Sequence, residues 1–306
     1  MPFAAACPKS APDPHSAPDP SADPPDRRGR PRPPARRRAA DAAAGFVALT
    51  GAGFRRYATY RQAMVAGLFT NIVFGAMLAS IMLGVAADGR TPGGYSREQL
   101  VAFVWVGQGL LNVVYTWGWR ELADRVRSGD VTADLLRPVD PLTSYAAADL
   151  GRAGQAVLGR WIAPVVVGVA FYDIYVPHRP STYVLFVVSV VLATLVSFGG
   201  RYLVNLSAFW LLDVRGPVAL WMLAGALLSG SFLPMRFLPE WVQWLLWCGT
   251  PFPSIFQIPL DVAVERTDGA LSATTVLLQL VWVIVLFLAC RAVQRRAVRR
   301  LVVQGG

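Results

Sequence analysis

Apolar residues in this chain are gathered into long blocks separated by short polar stretches, rather than into the narrow stripes of a soluble fold. The first block, residues 63–85, runs for 23 residues. At 1.5 Å per residue a helix of that length covers about 34 Å, enough to cross a hydrocarbon core of about 30 Å with some tilt. Five further blocks follow at 100–118, 156–176, 182–204, 217–235 and 272–290. The pattern predicts an all-α membrane protein with six transmembrane helices. Just before the first block, GFVALTGAGFRRYATYR (residues 46–62) mixes apolar residues with Arg55, Arg56 and Arg61, which suits a short helix lying in the headgroup layer.

Residues 1–44 break the pattern. They hold 11 of the 23 prolines and two basic clusters, and they lack the apolar surface that would offset ordering entropy, so a disordered Pro/Ala/Arg-rich tail is expected. It is either a polybasic segment held near anionic lipid or a dispensable extension. The membrane domain is then 45–306. Arg and Lys counted over alternate loops give its orientation. With a cytoplasmic N-terminus the inner segments outweigh the outer ones by 15 to 5 even when the tail is ignored. Both termini are therefore expected in the cytoplasm. Arg160 counts on neither side, because a span at 156–176 puts it about one turn from the inner edge, within snorkelling reach.

Composition narrows the function. The chain is 54% hydrophobic and 16% charged, against about 25% charged in ordinary soluble domains, so a soluble enzyme is excluded. The net charge of +10 resides in no segment that is both basic and foldable, which favours lipid headgroups over nucleic acid as the partner. Cys7, Cys248 and Cys290 are far apart, and His15 and His178 fall in the tail and a loop, so no metal site is expected. No GxxxxGK[ST] phosphate loop occurs. If ATP drives transport, a second chain supplies the ATPase.

Three polar regions are candidates for chemistry. WRELADRVRSGDVTADLLRPVDPLTSYAAADLGR, between the second and third spans, is long for a simple connection. It predicts a short helix over Glu121–Arg127, with Glu121 and Arg125 at paired spacing, then a break at Ser128-Gly129 and a second short helix from Asp130 or Val131 to Arg137. It is either a docking element for a cytoplasmic partner or a solvated loop. After the fifth span, PEWVQWLLWCG predicts an outer interfacial helix started by Pro239, with Trp241 and Trp244 on one face and Trp247 flanking it; it is an anchor or a lid. Within the spans, Gln108 and Asn112 share a helix face and serve either interhelical bonding or a pathway.

The order of features after the tail resembles that of the ABC type-2 exporter permeases, and more narrowly the viologen-exporter-like permeases. RRYATYRQAMVAGLFTNIVFG is similar to that group's interfacial helix and first span, and RSGDVTADLLRPVDPL to its cytoplasmic loop signature. SGSFLPMRFLPEWVQWLLWCGTPFPSIFQIPLDV is similar to the fifth-span exit and outer re-entrant helices, and RAVQRRAVRRLVVQGG to the basic tail. The resemblance implies a permease subunit of an ATP-driven exporter in the bacterial plasma membrane. It would pair with itself or a sister permease and dock on a cytoplasmic ABC ATPase. ATP and Mg would be bound by that ATPase, with no cofactor in this chain. Arg127, Gly129, Asp130, Asp134, Leu135, Leu136, Arg137 and Pro138 would form the coupling element, with the two leucines buried in the ATPase and the charges paired at the rim. Gln108, Asn112, Ser229 and Ser231 are candidates for the substrate path. The competing reading is an ion-coupled secondary transporter.

Overall fold

The computed structural model describes residues 35–304 apart from 59–60, 88–91, 116, 138 and 212, and these contain helices and turns but no strand. Residues 43–306 form one compact unit; residues 1–42 form another, of which the described part, 35–42, is the start of helix α1 (Ala35–Ala58). Most of the expected tail thus lies outside the described residues. Its last ten residues are helical, which fits ARRRAADAAA, where Ala and Arg are strong helix formers.

Four helices are long and apolar enough to cross a membrane: Gly67–Val85 within α2 (Arg61–Val85), then Pro141–Phe171, Pro180–Phe209 and Gly269–Arg300. The second expected span is α3 (Arg97–Leu110), which continues as a π-helical turn over Leu111–Tyr115. Ser96 starts α3 with a reciprocal cap, its Oγ accepting from Gln99 N at 3.2 Å while Gln99 Oε1 accepts from Ser96 N at 2.9 Å. Ten of the 14 residues of α3 are buried, so this helix is the centre of the bundle, against α2, α7 (Ile162–Phe171) and α11 (Gln257–Ala263).

The third span departs most from expectation. Its helix starts at Pro141 with α6 (Pro141–Ala156), passes through a π-helical turn at Val157–Trp161 and ends with α7 at Phe171. Asp140 caps it through Oδ2, which accepts from Thr143 N at 3.2 Å, and Pro141 supplies the first-turn geometry. Asp149 and Arg152, which suggested a loop, are buried inside this helix pair by mutual pairing. Its 31 residues cover about 46 Å. Arg160 lies 11 residues before the end of this helix, at the level of Gly67 near the start of α2 and of Asn112 near the end of α3.

The fourth span is α8 (Pro180–Leu206) and the last is α12 (Gly269–Gln304); they form the most extensive helix pair. The fifth, α9 (Arg215–Leu228), is shorter than the expected 217–235 block. It stops because the chain turns at Gly230, whose φ of 84° only glycine adopts without strain and whose missing side chain leaves room for Gln257. At 14 residues α9 covers about 21 Å. Two further helices follow it, α10 (Glu240–Gly249) and the wholly buried α11. Gln257 in α11 is satisfied on every side: its Oε1 accepts from Met235 N at 2.7 Å, and its Nε2 donates to Tyr95 Oη at 2.9 Å and Asp261 Oδ1 at 2.8 Å.

Candidate functional site

Two short helices lie at the end of the bundle that α3 reaches at Tyr115. They are α4 (Glu121–Ser128) and α5 (Val131–Leu135). Helix α4 carries Glu121 and Asp124 in its first turn and Arg125 and Arg127 in its last, the charge order that complements a helix dipole. Gly129 then ends it at φ 83°, a left-handed cap that lets α5 double back. The fold of the pair is fixed by Leu122 and Val131, which are buried with Leu142, Phe198, Tyr202 and Leu206. An ion pair staples it: Arg125 Nε and Nη2 donate to Asp134 at 2.5 and 2.9 Å, and Tyr145 Oη donates to the same carboxylate at 3.2 Å. The pairing foreseen between Glu121 and Arg125 gives way to this one. Glu121 instead accepts from Arg56 Nη1 of α1 at 2.9 Å.

The expected coupling residues divide by orientation. Leu136 is 87% exposed, and Arg127, Asp130 and Arg137 of the same helix pair and turn are exposed as well. Asp134 turns inward with its side chain 12% exposed, and Leu135 is half-buried, so neither forms the outer rim of this surface. Asp130 accepts from Ser128 Oγ at 2.7 Å and steadies the turn at Gly129. Pro138 lies outside the described residues. Behind the pair, α1, α4 and α6 enclose a cavity of about 200 Å³ lined by Arg56, Tyr57, Glu121, Asp134 and Tyr145.

Contacts that sequence reading missed tie this surface to the spans. Asn205, fully buried in α8, accepts from Ala123 N at 3.1 Å through Oδ1 and donates from Nδ2 to Trp119 O at 2.8 Å. Ala123 N–H is one of the first-turn donors that a helix cannot satisfy itself, so α8 caps α4 from outside. Asp149 of α6 bridges Arg152, Nε to Oδ1 at 2.7 Å, and Arg201 of α8, Nη2 to Oδ2 at 2.7 Å. Arg152 also donates to Asn112 O at 2.7 Å and Val113 O at 2.9 Å, carbonyls left over at the end of the α3 helix. The three groups bind α3, α6 and α8 together beneath the coupling helices. Only the unusual Arg201 inside an apolar block signalled them in the sequence.

The four candidate path residues do not form one surface. Gln108 is buried and Asn112 half-buried, the latter accepting from Arg160 Nη1 at 2.6 Å. Ser229 is fully buried beside α11, where its carbonyl accepts from Gln257 N at 2.9 Å, and Ser231 Oγ donates to Ala226 O at 3.1 Å. The outer helix α10 places Trp241 and Trp244 outward, each 70% exposed, while Trp247 is half-buried under the Arg236 guanidinium, 5.0 Å from its ring centre.

Glu265 anchors the same end of the bundle as α10. Its φ of 48° is strained for a non-glycine residue, and its carboxylate gathers the loop before α8, accepting from Thr182 Oγ1 at 2.5 Å, Tyr175 Oη at 2.8 Å, Arg179 N at 2.9 Å and His178 N at 3.2 Å. Burial works to raise its pKa, but these hydrogen bonds outweigh burial and hold the carboxyl down at about 2. Among the described residues no cluster of His, Cys, Asp and Glu is placed to hold a metal.

A family model described as ABC-2 family transporter protein matches residues 71–305, which takes in every span after the first turns of α2 together with the α4–α5 pair. No curated protein and no solved structure matches the chain.

Proposed function

The chain belongs to the ABC-2 transporter family, whose members are membrane components that work with a cytoplasmic ABC ATPase, and from that premise we propose that it is the permease subunit of an ATP-driven exporter. Leu136 is the observation that carries the docking role. A large apolar side chain 87% exposed at the end of α5 in a folded, ion-paired helix pair that also exposes Arg127, Asp130 and Arg137 has the composition of an interface anchor with charged surroundings. The face lies at the end of the bundle where the basic tail of α12 also lies, so the positive-inside bias puts it in the cytoplasm with both termini. The membrane is then the bacterial plasma membrane.

The mechanism follows from how the pair is mounted. ATP-driven closure of the ATPase presses on the Leu136 face. The Arg125–Asp134 pair and the buried Val131 make α4 and α5 move as one piece. Asn205 passes that movement to α8, and the Asp149–Arg152–Arg201 set passes it between α6, α8 and the end of α3. The substrate path opens between this permease and a second one, a sister chain in the viologen-exporter-like arrangement or a second copy. ATP and Mg belong to the ATPase, and the chemistry of hydrolysis with them.

The test is affinity purification in mild detergent with mass spectrometry of the co-purifying chains. A P-loop ATPase is expected with the native chain and is lost with Leu136→Asp, while the variant still folds in the membrane. Equal recovery with Leu136→Asp would remove the docking role. Transport that survives ATP depletion and collapses with the ion gradient would replace the whole reading by an ion-coupled one.

A further inference from the structure

A cavity of about 630 Å³ opens between α10 and the first turns of α12, at the end of the bundle away from the coupling helices. That volume falls in the range of roughly 300–1,000 Å³ usual for small-molecule sites. Arg236, Glu240, Gln243, Trp244, Trp247 and Leu278 line it. Two contacts give its depth. Arg236 abuts the loop before α3, where a Cβ built on Gly93 would be 2.9 Å from its own Cβ. Leu278 stands nine residues past Gly269, about 14 Å along α12. The cavity thus runs from the mouth of the bundle into the adjoining leaflet.

Two opposite charges line it without pairing to each other. Glu240 makes no hydrogen bond or ion pair with any described residue. The Arg236 guanidinium hydrogen-bonds only to Asp261, from Nε and Nη2 at 3.4 Å each, well beyond the length of about 2.7–2.9 Å of a strong charge-assisted bond. Its Nη1 has no hydrogen-bond partner among the described residues. Gln243 turns Nε2 to Leu238 O at 2.8 Å and Arg236 O at 3.4 Å, which leaves Oε1 an acceptor without a donor.

The rest of the lining is aromatic and apolar. The Trp247 ring centre lies 5.0 Å from the Arg236 guanidinium, and the exposed Trp244 adds a second indole. From Leu278 the same face of α12 continues through Val281 and Val285, at helical spacing and both exposed. A simple anion held by Arg236 would meet the Glu240 carboxylate, and a simple cation would meet Arg236. A ligand that carries both charges a few bonds apart, with a hydrocarbon tail, complements every part of the lining.

We infer that this cavity is a binding site for the zwitterionic headgroup of a bilayer phospholipid. The phosphate accepts from Arg236 Nη1, the ammonium lies between Glu240, Gln243 Oε1 and the face of Trp244, and an acyl chain follows Leu278, Val281 and Val285. The site depends neither on ATPase docking nor on the direction of transport.

Cys248 is the reporter, because it is exposed and also lines the cavity. The purified permease in dodecyl maltoside is labelled with N-ethylmaleimide while dioleoylphosphatidylethanolamine is titrated in, and the labelled peptides are read by mass spectrometry. At about ten times the dissociation constant the Cys248 labelling rate should fall about tenfold, since about a tenth of the sites stay open. Dioleoylphosphatidylglycerol, which lacks the ammonium, and dioleoylglycerol, which lacks both charges, should protect far less at the same mole fraction. Glu240→Gln removes an exposed group with no partner, so the fold is kept, and it should raise the lipid needed for half-protection at least about threefold. Glu240→Lys should invert the preference, with phosphatidylglycerol the better protector. Cys290, fully buried, should stay unlabelled throughout and reports that each variant is folded. Unprotected Cys248 in phosphatidylethanolamine would overturn the inference, as would equal protection by phosphatidylglycerol or dioleoylglycerol. So would a native half-protection point in Glu240→Gln or a native lipid preference in Glu240→Lys.

Discussion

Replacing Asn205 with Leu probes the joint between the coupling helices and the spans. The substitution keeps the volume of a fully buried side chain but strips two partners: Ala123 N–H loses its acceptor at 3.1 Å, and Trp119 C=O loses its donor at 2.8 Å. Each buried group left unsatisfied costs about 1–3 kcal/mol. Both flank the start of α4, a helix of eight residues with no side-chain cap of its own. A loss of about 2–3 kcal/mol falls on the docking of α4 and α5 rather than on the whole bundle, which the α8–α12 pair holds independently. Local opening should then rise about 30- to 150-fold, at 1.36 kcal/mol per factor of ten. Hydrogen exchange of the purified protein reads this directly, as faster exchange across residues 121–135 with unchanged rates in α8 and α12. Asn205→Asp keeps an acceptor for Ala123 N–H but sets a buried carboxylate against the Trp119 and Arg201 carbonyls, and should open the pair at least as much. Unchanged exchange over 121–135 in Asn205→Leu would refute the idea that α8 caps α4.

Three further outcomes follow. Asp149→Leu strands two buried guanidinium groups and should cost about 3–5 kcal/mol in a detergent melt, whereas Arg56→Ala, which breaks an exposed pair with Glu121, should cost under about 1 kcal/mol; equal losses would contradict the burial difference. Glu265 has a pKa held at about 2 in the folded chain, below the usual 4.5, so its stabilisation is complete above pH 4.5 and lost as pH falls towards 2; about 3 kcal/mol is the ceiling, and screening at this water-exposed end leaves about 1–2 kcal/mol. The native chain and Glu265→Gln should therefore converge in melting temperature on acidification, and parallel curves would remove the assignment. Trp241→Ser with Trp244→Ser removes two exposed indoles from α10 and should weaken its hold on lipid, raising exchange over 240–249; a native exchange pattern would show that the helix is held by Trp247 and Leu246 alone.

The helical class, the approximate spans and the α4–α5 pair were legible because each rests on a local signal: block hydrophobicity, the Ser128-Gly129 break, and the proline before α10. What escaped the sequence was partnership across the bundle. Asp149 and Arg152 fall in the expected connection before 156 and Arg201 inside the expected fourth span, and only the fold brings the carboxylate between the two guanidinium groups. Glu121 and Arg125 have the spacing of a helix pair, yet each finds a better partner on another element, Arg56 and Asp134. Ser229 and Gln108 are both polar residues in apolar blocks, but one lies beside α11 while the other packs against Gly75 of α2, a distinction that no spacing carries.

The error over the third span matters most, because its true length changes what the helix can do. A span of about 46 Å exceeds a core of about 30 Å by about 16 Å, close to three turns. With Phe171 at one boundary, the excess falls on the Pro141 side, where Tyr145 touches Asp134 of α5 and Asp149 touches Arg201. The part of α6 outside the core is thus an arm joined rigidly to the coupling helices. Further along the same helix stands Arg160, at the level of Gly67 and Asn112 and about 12 Å short of the level where Gly168 meets Trp105. Two π-helical turns, one in each of α3 and this span, are packed at that level, where helices deform more readily than along a regular ladder. On the proposed docking, a push on Leu136 that moves the arm would bend the span at Val157–Trp161, and that bend would turn the Arg160 guanidinium relative to Asn112. The long helix would then link the docking face to the two π-helical turns through its own backbone. Stiffening the α6 arm should slow transport while the ATPase still co-purifies, and unchanged turnover in such a variant would break that linkage.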